Sequence, residues 1–132
     1  MTSDRGPCQR KDNRRASTDK WSAMIARVWT AHASSKQAPA YVSHVRRHIF
    51  PTLRTLDGYL GASLLTRSRR DDVEIVVVTR WRSRAAIHAF AGDDVDGAVV
   101  APEAKELLTR FDERVRHYEV VLQDEANEEG NT

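Results

Sequence analysis

The segment VEIVVVTRW, Val73 to Trp81, carries apolar groups on both faces of a predicted strand. Its odd-numbered positions form one nearly apolar face, as the two-residue period of a half-buried strand requires. Val76 and Val78 place further apolar groups on the even face. Helices of the same chain cover one of these faces, so the other face needs a second partner.

The segments before this strand predict a strand, a helix and a second strand. Met24 to Thr30 alternates as a strand, and apolar residues at helical spacing predict a helix over about residues 36–55. Pro51 lies inside that helix and predicts a kink or break near residues 48–50. Residues 59–67 then form a strand that SRRDD joins to Val73–Trp81 as an antiparallel hairpin.

After the hairpin the pattern predicts a short helix and a last strand. Ser83 is a favourable N-cap for a helix through Phe90, and Gly92 ends it. Residues 102–110 predict one or two helical turns, and residues 115–122 predict the final strand.

The resulting order is strand, helix, two strands, helix, strand, which is the βαββαβ pattern of the ferredoxin-like α+β class. That class has a four-stranded antiparallel sheet with both helices on one face. The opposite face is bare, and a valine-rich bare face is a large apolar patch. We therefore expect a homodimer in which two sheets pack face to face. The pattern allows either the odd or the even face of the strand to be the one buried between the two sheets.

The two ends of the chain differ from the part between them. Residues 1–22 are predicted to be a flexible polar leader, residues 23–122 the folded domain, and residues 123–132 a flexible acidic tail. Met24 directly precedes the first strand and is an alternative start, which would leave the leader outside the native protein. Cys8 is the single cysteine, and no apolar run approaches the roughly 20 residues of a membrane span, so we expect a cytoplasmic protein with no membrane partner.

The net charge of +2 is too small to indicate nucleic acid. Arg67 to Arg70 form a basic hairpin tip, but two aspartates follow at once. RNA-binding sheets of this topology present aromatics on the third strand, whereas this strand is valine-rich. We expect no nucleic-acid partner.

Several segments in this order resemble the antibiotic biosynthesis monooxygenase (ABM) superfamily, whose members form dimeric α+β barrels. They are MIARVW, the proline-containing helix with LRTLDGYLGASLL, the long segment VEIVVVTRWRSRAAIHAFAGDD, and VRHYEVV. The resemblance implies a cofactor-independent monooxygenase that acts on a small aromatic or phenolic substrate. The family is mixed, so a non-catalytic ligand-binding or stress-associated dimer stays open as the alternative.

The resemblance also disfavours heme opening. The heme-degrading branch uses an Asn on the first strand, a Trp on the second helix and a His shortly after it. Those first two positions fall on Trp29 and Phe90, and residues 91–105 contain no His. We expect no cofactor.

Cofactor-free oxygenation needs an aromatic pocket, a proton-handling group and a cation or donor for a substrate oxyanion. His48 and His117 are the proton-handling candidates, and five residues are substrate-binding candidates: Arg27, Trp29, Tyr41, Trp81 and Phe90. Each has a structural alternative. The aromatic residues lie at core spacings, His117 could be a structural histidine, and His48 could satisfy a carbonyl freed by Pro51.

Among these candidates, Arg27 most needs a specific partner, because an unpaired charge in an apolar strand is costly. It is therefore either a substrate anchor or half of an ion pair with Glu119 or Glu74. His44 and His48 are four residues apart, a spacing that can hold a metal, but no third ligand follows, so we expect no metal site.

Overall fold

A computed structural model describes residues 24–126. Most of them belong to one unit, Ile25–Tyr118; in a separate second unit, the Val120 N–H donates to the Met24 carbonyl at 2.9 Å. The predictions for the leader, for the start at Met1 or Met24, and for the end of the tail lie outside the described residues. No helix in the described range is long and apolar enough to cross a membrane.

The unit Ile25–Tyr118 confirms the predicted α+β order. Its strands are β1 (Ile25–Ala33), β2 (Tyr59–Ser68), β3 (Val73–Trp81), β4 (Arg110–Phe111) and β5 (Arg116–Glu119). Its helices are α1 (Ala38–His44), a π-helical turn (Val45–Ile49), α2 (Phe50–Leu53), α3 (Arg84–Ala91) and α4 (Pro102–Lys105).

The sheet has the strand order β2-β3-β1-β4, and β5 also pairs with β1. Both long pairings, β1 with β3 and β2 with β3, are antiparallel. Strand β4 adds a fifth strand to the expected four and takes up Arg110, where the sequence predicts helix. The cause is a tertiary contact, because the Thr109 N–H and hydroxyl both donate to the His32 carbonyl and tie this segment to β1.

The break predicted at Pro51 is a π-helical turn. The Phe50 N–H donates to the Val45 carbonyl, an i to i+5 bond in place of the usual i to i+4 bond. Pro51 cannot donate to the preceding turn and its ring crowds that turn, so the helix widens ahead of it. The Thr52 hydroxyl donates to the His48 carbonyl at 2.8 Å, which adds a side-chain bond across this part of the helix.

The boundaries of α3 agree with their sequence signals, whereas the helix predicted over residues 102–110 ends at Lys105. The Ser83 hydroxyl accepts a hydrogen bond from the Ala86 N–H, as an N-cap does. Gly92 follows α3 at φ +87, and its N–H donates to the His88 carbonyl. A residue with a side chain disfavours that φ, so glycine ends the helix here.

The structure distinguishes the two faces of β3. Ile75 and Trp81 are completely buried on the odd face, where they belong to two core clusters that the helices complete. The even face carries Val76 and Val78, which lie opposite Thr30 and Val28 of β1. Leu65 of β2 pairs with Val76 and is 51% exposed. The odd face therefore packs under the helices, and the even face is the bare one.

Candidate functional site

A cavity of about 90 Å³ lies between the odd face of the sheet and the helices. Arg27, Trp29, Val77 and Thr79 form its sheet side. Its other walls come from α1, the π-helical turn, α2, α3, α4 and the segments 99–101 and 115. This volume is small beside the roughly 300–1,000 Å³ of sites that enclose drug-sized ligands. The cavity therefore suits a ligand with about one aromatic ring inside the protein.

Three of the five predicted substrate-binding residues supply aromatic walls of this cavity. Trp29, Tyr41 and Phe90 all line it. The Trp29 and Tyr41 ring centroids are 6.4 Å apart, and the Trp29 indole N–H donates to the Asp112 carbonyl at 2.7 Å. Burial raises the pKa of Tyr41 to about 12, so its phenol stays protonated and can donate to a ligand oxygen but cannot act as a base near neutral pH.

Trp81 lies elsewhere. Its side chain is completely buried, its indole N–H donates to the Thr79 hydroxyl at 2.9 Å, and it does not line the cavity. Its ring stacks on Phe90 with centroids 5.2 Å apart. Trp81 thus packs behind a cavity wall, in agreement with the structural alternative that its core spacing left open.

Arg27 is a buried cation at the edge of the cavity, with 5% of its surface exposed. Its Nη1 donates to the Val95 carbonyl at 2.6 Å and its Nη2 donates to the Gly97 carbonyl at 2.8 Å. Its Cζ lies 5.6 Å from the centre of the Phe90 ring, within the range of a cation–π contact. Burial lowers the pKa of Arg27 and the charge of Asp96 opposes this shift, but an arginine starts so high that it stays charged.

Glu74, one of the two carboxylates offered as an alternative partner of Arg27, pairs with a different arginine. Glu74 lies at an even position of β3 and accepts a hydrogen bond from the Arg67 Nε at 2.9 Å. Arg27 lies at an odd position of β1, directly opposite Thr79, and its side chain reaches the 95–97 segment instead. Register separates the two side chains, because facing residues of neighbouring strands share a face of the sheet.

The two predicted proton-handling histidines have different surroundings. His48 is exposed and does not line the cavity. The His117 side chain is only 4% exposed, and its Nε2 lies 2.9 Å from Arg27 Nη1 while its Nδ1 lies 3.1 Å from Asp96 Oδ1. Both His117 nitrogens are therefore engaged by protein groups.

His44 is the cavity histidine that the sequence analysis considered only as a metal ligand. It lines the cavity, and its Nε2 is buried with no hydrogen-bond partner among residues 24–126. Its ring centroid lies 5.4 Å from that of His48. The sequence contained a signal for this position, because His44 directly precedes Val45 of the buried helical stripe. The π-helical turn that follows His44, however, could not be placed from the sequence. Within the described range, no three His, Cys, Asp or Glu side chains are grouped to hold a metal ion.

The structure is a ferredoxin-like α+β fold with a cavity whose walls are mostly aromatic and aliphatic. The family profile "Antibiotic biosynthesis monooxygenase" matches residues 24–95, more than half of the 132 residues, and the chain belongs to this family. A comparison with curated protein sequences finds no match.

Solved structures share the fold at low sequence identity. SO0527 of Shewanella oneidensis is 20% identical with a TM-score of 0.55, over 74% of this chain and 90% of that one. A Bacillus cereus protein named for the same family is 19% identical with a TM-score of 0.54, over 79% and 99% of the two chains. The heme-degrading protein Rv3592 of Mycobacterium tuberculosis is 23% identical with a TM-score of 0.51, over 79% and 99%. At these identities the likeness establishes the fold alone.

Proposed function

We propose that this protein is a cofactor-independent monooxygenase that acts on a small aromatic substrate with a phenolic oxygen. The observation that carries the proposal is a buried guanidinium, that of Arg27, at the edge of a cavity with aromatic and aliphatic walls. A cation in such surroundings stabilises an oxyanion far more than it would in water. Family membership supports the same chemistry.

The reaction needs no cofactor when the substrate supplies all the electrons. Removal of a proton from the phenol or from an activated CH₂ group makes the substrate electron-rich enough to reduce dioxygen. For a CH₂ group, R₂CH₂ and O₂ give R₂C=O and H₂O, so one oxygen atom enters the substrate and the other leaves as water. The protein has to bind the anion, accept a proton and exclude bulk water.

Arg27 is assigned to the substrate oxyanion and His44 to the proton. The buried Nε2 of His44 has no hydrogen-bond partner among residues 24–126, and an imidazole nitrogen can accept a proton from a ligand. This assignment replaces His48, which lies outside the cavity, and His117, whose two nitrogens are engaged. Trp29, Tyr41 and Phe90 hold the ring.

The test is oxygen uptake with a panel of anthrones, quinols and phenols, without added flavin or metal. We expect uptake with at least one phenolic compound, and His44→Phe should lower kcat by roughly 10²–10⁴, the usual contribution of a general base. His48→Phe is the matched control, because it makes the same change one helical turn away at an exposed position and should leave kcat within about twofold.

Three results would count against this assignment. Tight ligand binding without oxygen uptake would identify a ligand-binding protein instead of an enzyme. Uptake that requires heme or flavin would contradict the cofactor-free mechanism. Equal effects of the two histidine substitutions would remove His44 from the proton-transfer step.

We also propose a homodimer that packs the even faces of two sheets together. Val28, Val76 and Val78 form a cross-strand cluster there, and Leu65 extends it onto β2. No helix of the unit Ile25–Tyr118 contributes to a core cluster on this side, since both clusters contain odd-face residues of β3. A second copy supplies the missing apolar surface, and light scattering at micromolar concentration tests for it.

A further inference from the structure

Asp96, His117 and Arg27 form a hydrogen-bonded chain from the protein surface to the cavity. Asp96 Oδ1 lies 3.1 Å from His117 Nδ1, and His117 Nε2 lies 2.9 Å from Arg27 Nη1. We propose that His117 is a positioning residue, which as a neutral hydrogen-bond acceptor orients the Arg27 guanidinium toward anionic ligands in the cavity. This proposal rests on the proposed function in one respect, the assignment of Arg27 as the group that binds the oxyanion.

The hydrogen count of the guanidinium supports this role. Arginine has five N–H groups and no acceptor. Nη1 uses both of its N–H groups, on the Val95 carbonyl and on His117, and Nη2 uses one on the Gly97 carbonyl. The second N–H of Nη2 and the N–H of Nε have no partner among residues 24–126. Arg27 lines the cavity, and we assign these two N–H groups to a ligand oxygen bound there.

The contact with Arg27 also fixes the tautomer of His117. Arg27 can only donate, so Nε2 must carry the lone pair and the proton must be on Nδ1, where it is donated to Asp96. A protonated imidazole would instead direct an N–H at the guanidinium. That contact would be repulsive, and Arg27 would lose one of its three hydrogen-bond acceptors.

The charges around His117 favour this neutral form. Burial lowers the pKa of His117 and the nearby Arg27 lowers it further, while Asp96 acts in the opposite direction. Three more cations line an open cleft that His117 also lines: Arg84, Arg114 and Arg116. Arg114 is itself paired with Asp94 at 3.0 Å. His117 is therefore neutral at pH 7, and acidification below its reduced pKa would break its contact with Arg27.

Two substitutions separate positioning from simple packing. His117→Gln places an amide oxygen near the position of Nε2, where it can accept from Arg27, but it does not titrate. His117→Leu fills similar space and offers no acceptor. Both leave Arg27, His44 and the aromatic walls in place.

The probes are benzoate and nitrobenzene, a single-ring anion and its neutral isostere, with binding measured by isothermal titration calorimetry at pH 7.5 and 5.5. Benzoate stays ionised at both values. In the wild type at pH 7.5 we expect a preference for benzoate over nitrobenzene. His117→Leu should reduce that preference roughly tenfold, about the effect of one charge-assisted hydrogen bond, and His117→Gln by less than about threefold.

The pH comparison tests the same proposal if His117→Leu fails to fold. We expect the wild type's preference for benzoate to be smaller at pH 5.5 than at pH 7.5, because acidification toward the reduced pKa of His117 protonates more of its imidazole, whereas His117→Gln keeps its preference. His44 is present in both proteins, so any contribution it makes is common to the two sides of this comparison. The proposal is overturned if the wild type does not prefer benzoate, if His117→Gln behaves like His117→Leu, or if wild type and His117→Gln show the same pH dependence. None of these readouts uses oxygen uptake, so failure of the monooxygenase proposal would be seen separately.

Discussion

Arg27→Met tests whether the buried arginine also holds the cavity wall together. The substitution removes three hydrogen bonds, to the Val95 carbonyl, the Gly97 carbonyl and His117 Nε2. Methionine fills much of the space of the arginine stem and cannot donate to any of them.

The expected loss follows from the acceptors left behind. A buried acceptor without its partner costs about 1–3 kcal/mol. Val95 and Gly97 are only partly buried, so water reaches their carbonyls and the lower end of this range applies to each. Removing a charge that burial disfavours returns part of the cost. We therefore expect the free energy of unfolding to fall by about 2–4 kcal/mol.

The assay is equilibrium urea unfolding at one fixed protein concentration, because a dimer would make the midpoint depend on concentration. Arg82→Met is the matched control. Arg82 pairs with Asp57 outside the sheet, its side chain is 59% exposed, and loss of such a surface pair changes stability by about 0–1 kcal/mol. If Arg27→Met and Arg82→Met differ by less than about 1 kcal/mol, the three hydrogen bonds of Arg27 do not stabilise the fold.

Three further predictions concern the sheet faces, a turn and the core. Val78→Asp should convert the proposed dimer to monomer in light scattering, while Val78→Thr, which keeps the branched shape, should weaken it less; an unchanged dimer in Val78→Asp would place the interface elsewhere. Gly58→Ala and Gly92→Ala both impose a side chain at nearly the same φ, +88 and +87, but only the Cβ added at Gly58 meets another atom, Ala86 Cβ at 2.4 Å. Gly58→Ala should therefore be about 1–3 kcal/mol more destabilising in urea unfolding, and equal losses would contradict this. Trp81→Phe should lower the free energy of unfolding by about 1–3 kcal/mol, because side-chain volume and the hydrogen bond to Thr79 are lost. It should leave benzoate affinity within about twofold, since Trp81 does not line the cavity. A larger change in affinity would make Trp81 a binding residue.

The stability of the wild type should also depend on His117. Because its pKa is lowered in the folded state, the unfolded chain binds a proton more readily as the pH falls below the ordinary value near 6.5. The stability that neutral His117 provides is thus complete above about pH 6.5 and is lost as the pH falls toward the folded-state pKa. His117→Gln should flatten this part of the profile in urea unfolding between pH 5 and 8. An identical slope in wild type and variant would mean that His117 titrates alike in both states.

The π-helical turn affects which helix residues line the cavity. Pro51 removes a backbone donor, and the chain responds by widening the helix between Val45 and Ile49. That turn directly follows His44, the last residue of α1, and cavity-lining residues lie on both sides of the junction. A regular helix at constant pitch would present a different set of residues to the cavity after this point, so the proline contributes to the choice of His44 over His48.

Local patterns were enough for much of the fold. The alternation in Val73–Trp81, the Ser83 N-cap, the Gly92 stop and the Pro51 break each act over a few residues, and the sequence shows all of the atoms involved. The order of elements then restricts the topology to the ferredoxin-like class, because few connections of short, antiparallel strands and helices are available.

The arrangement of the site depended on contacts between distant residues. Strand register and a loop some 70 residues away from Arg27 decide three features of the site. They decide which face of β3 lies under the helices and why Arg27 bonds the 95–97 segment rather than Glu74. They also bring His117 into contact with both Asp96 and Arg27. Residue spacing along the chain carries no information on such pairings. Sequence alone therefore determined the class of fold and the residue types that line the cavity, whereas tertiary packing decided that Trp81 is core, that His48 is outside the cavity and that His44 lines it.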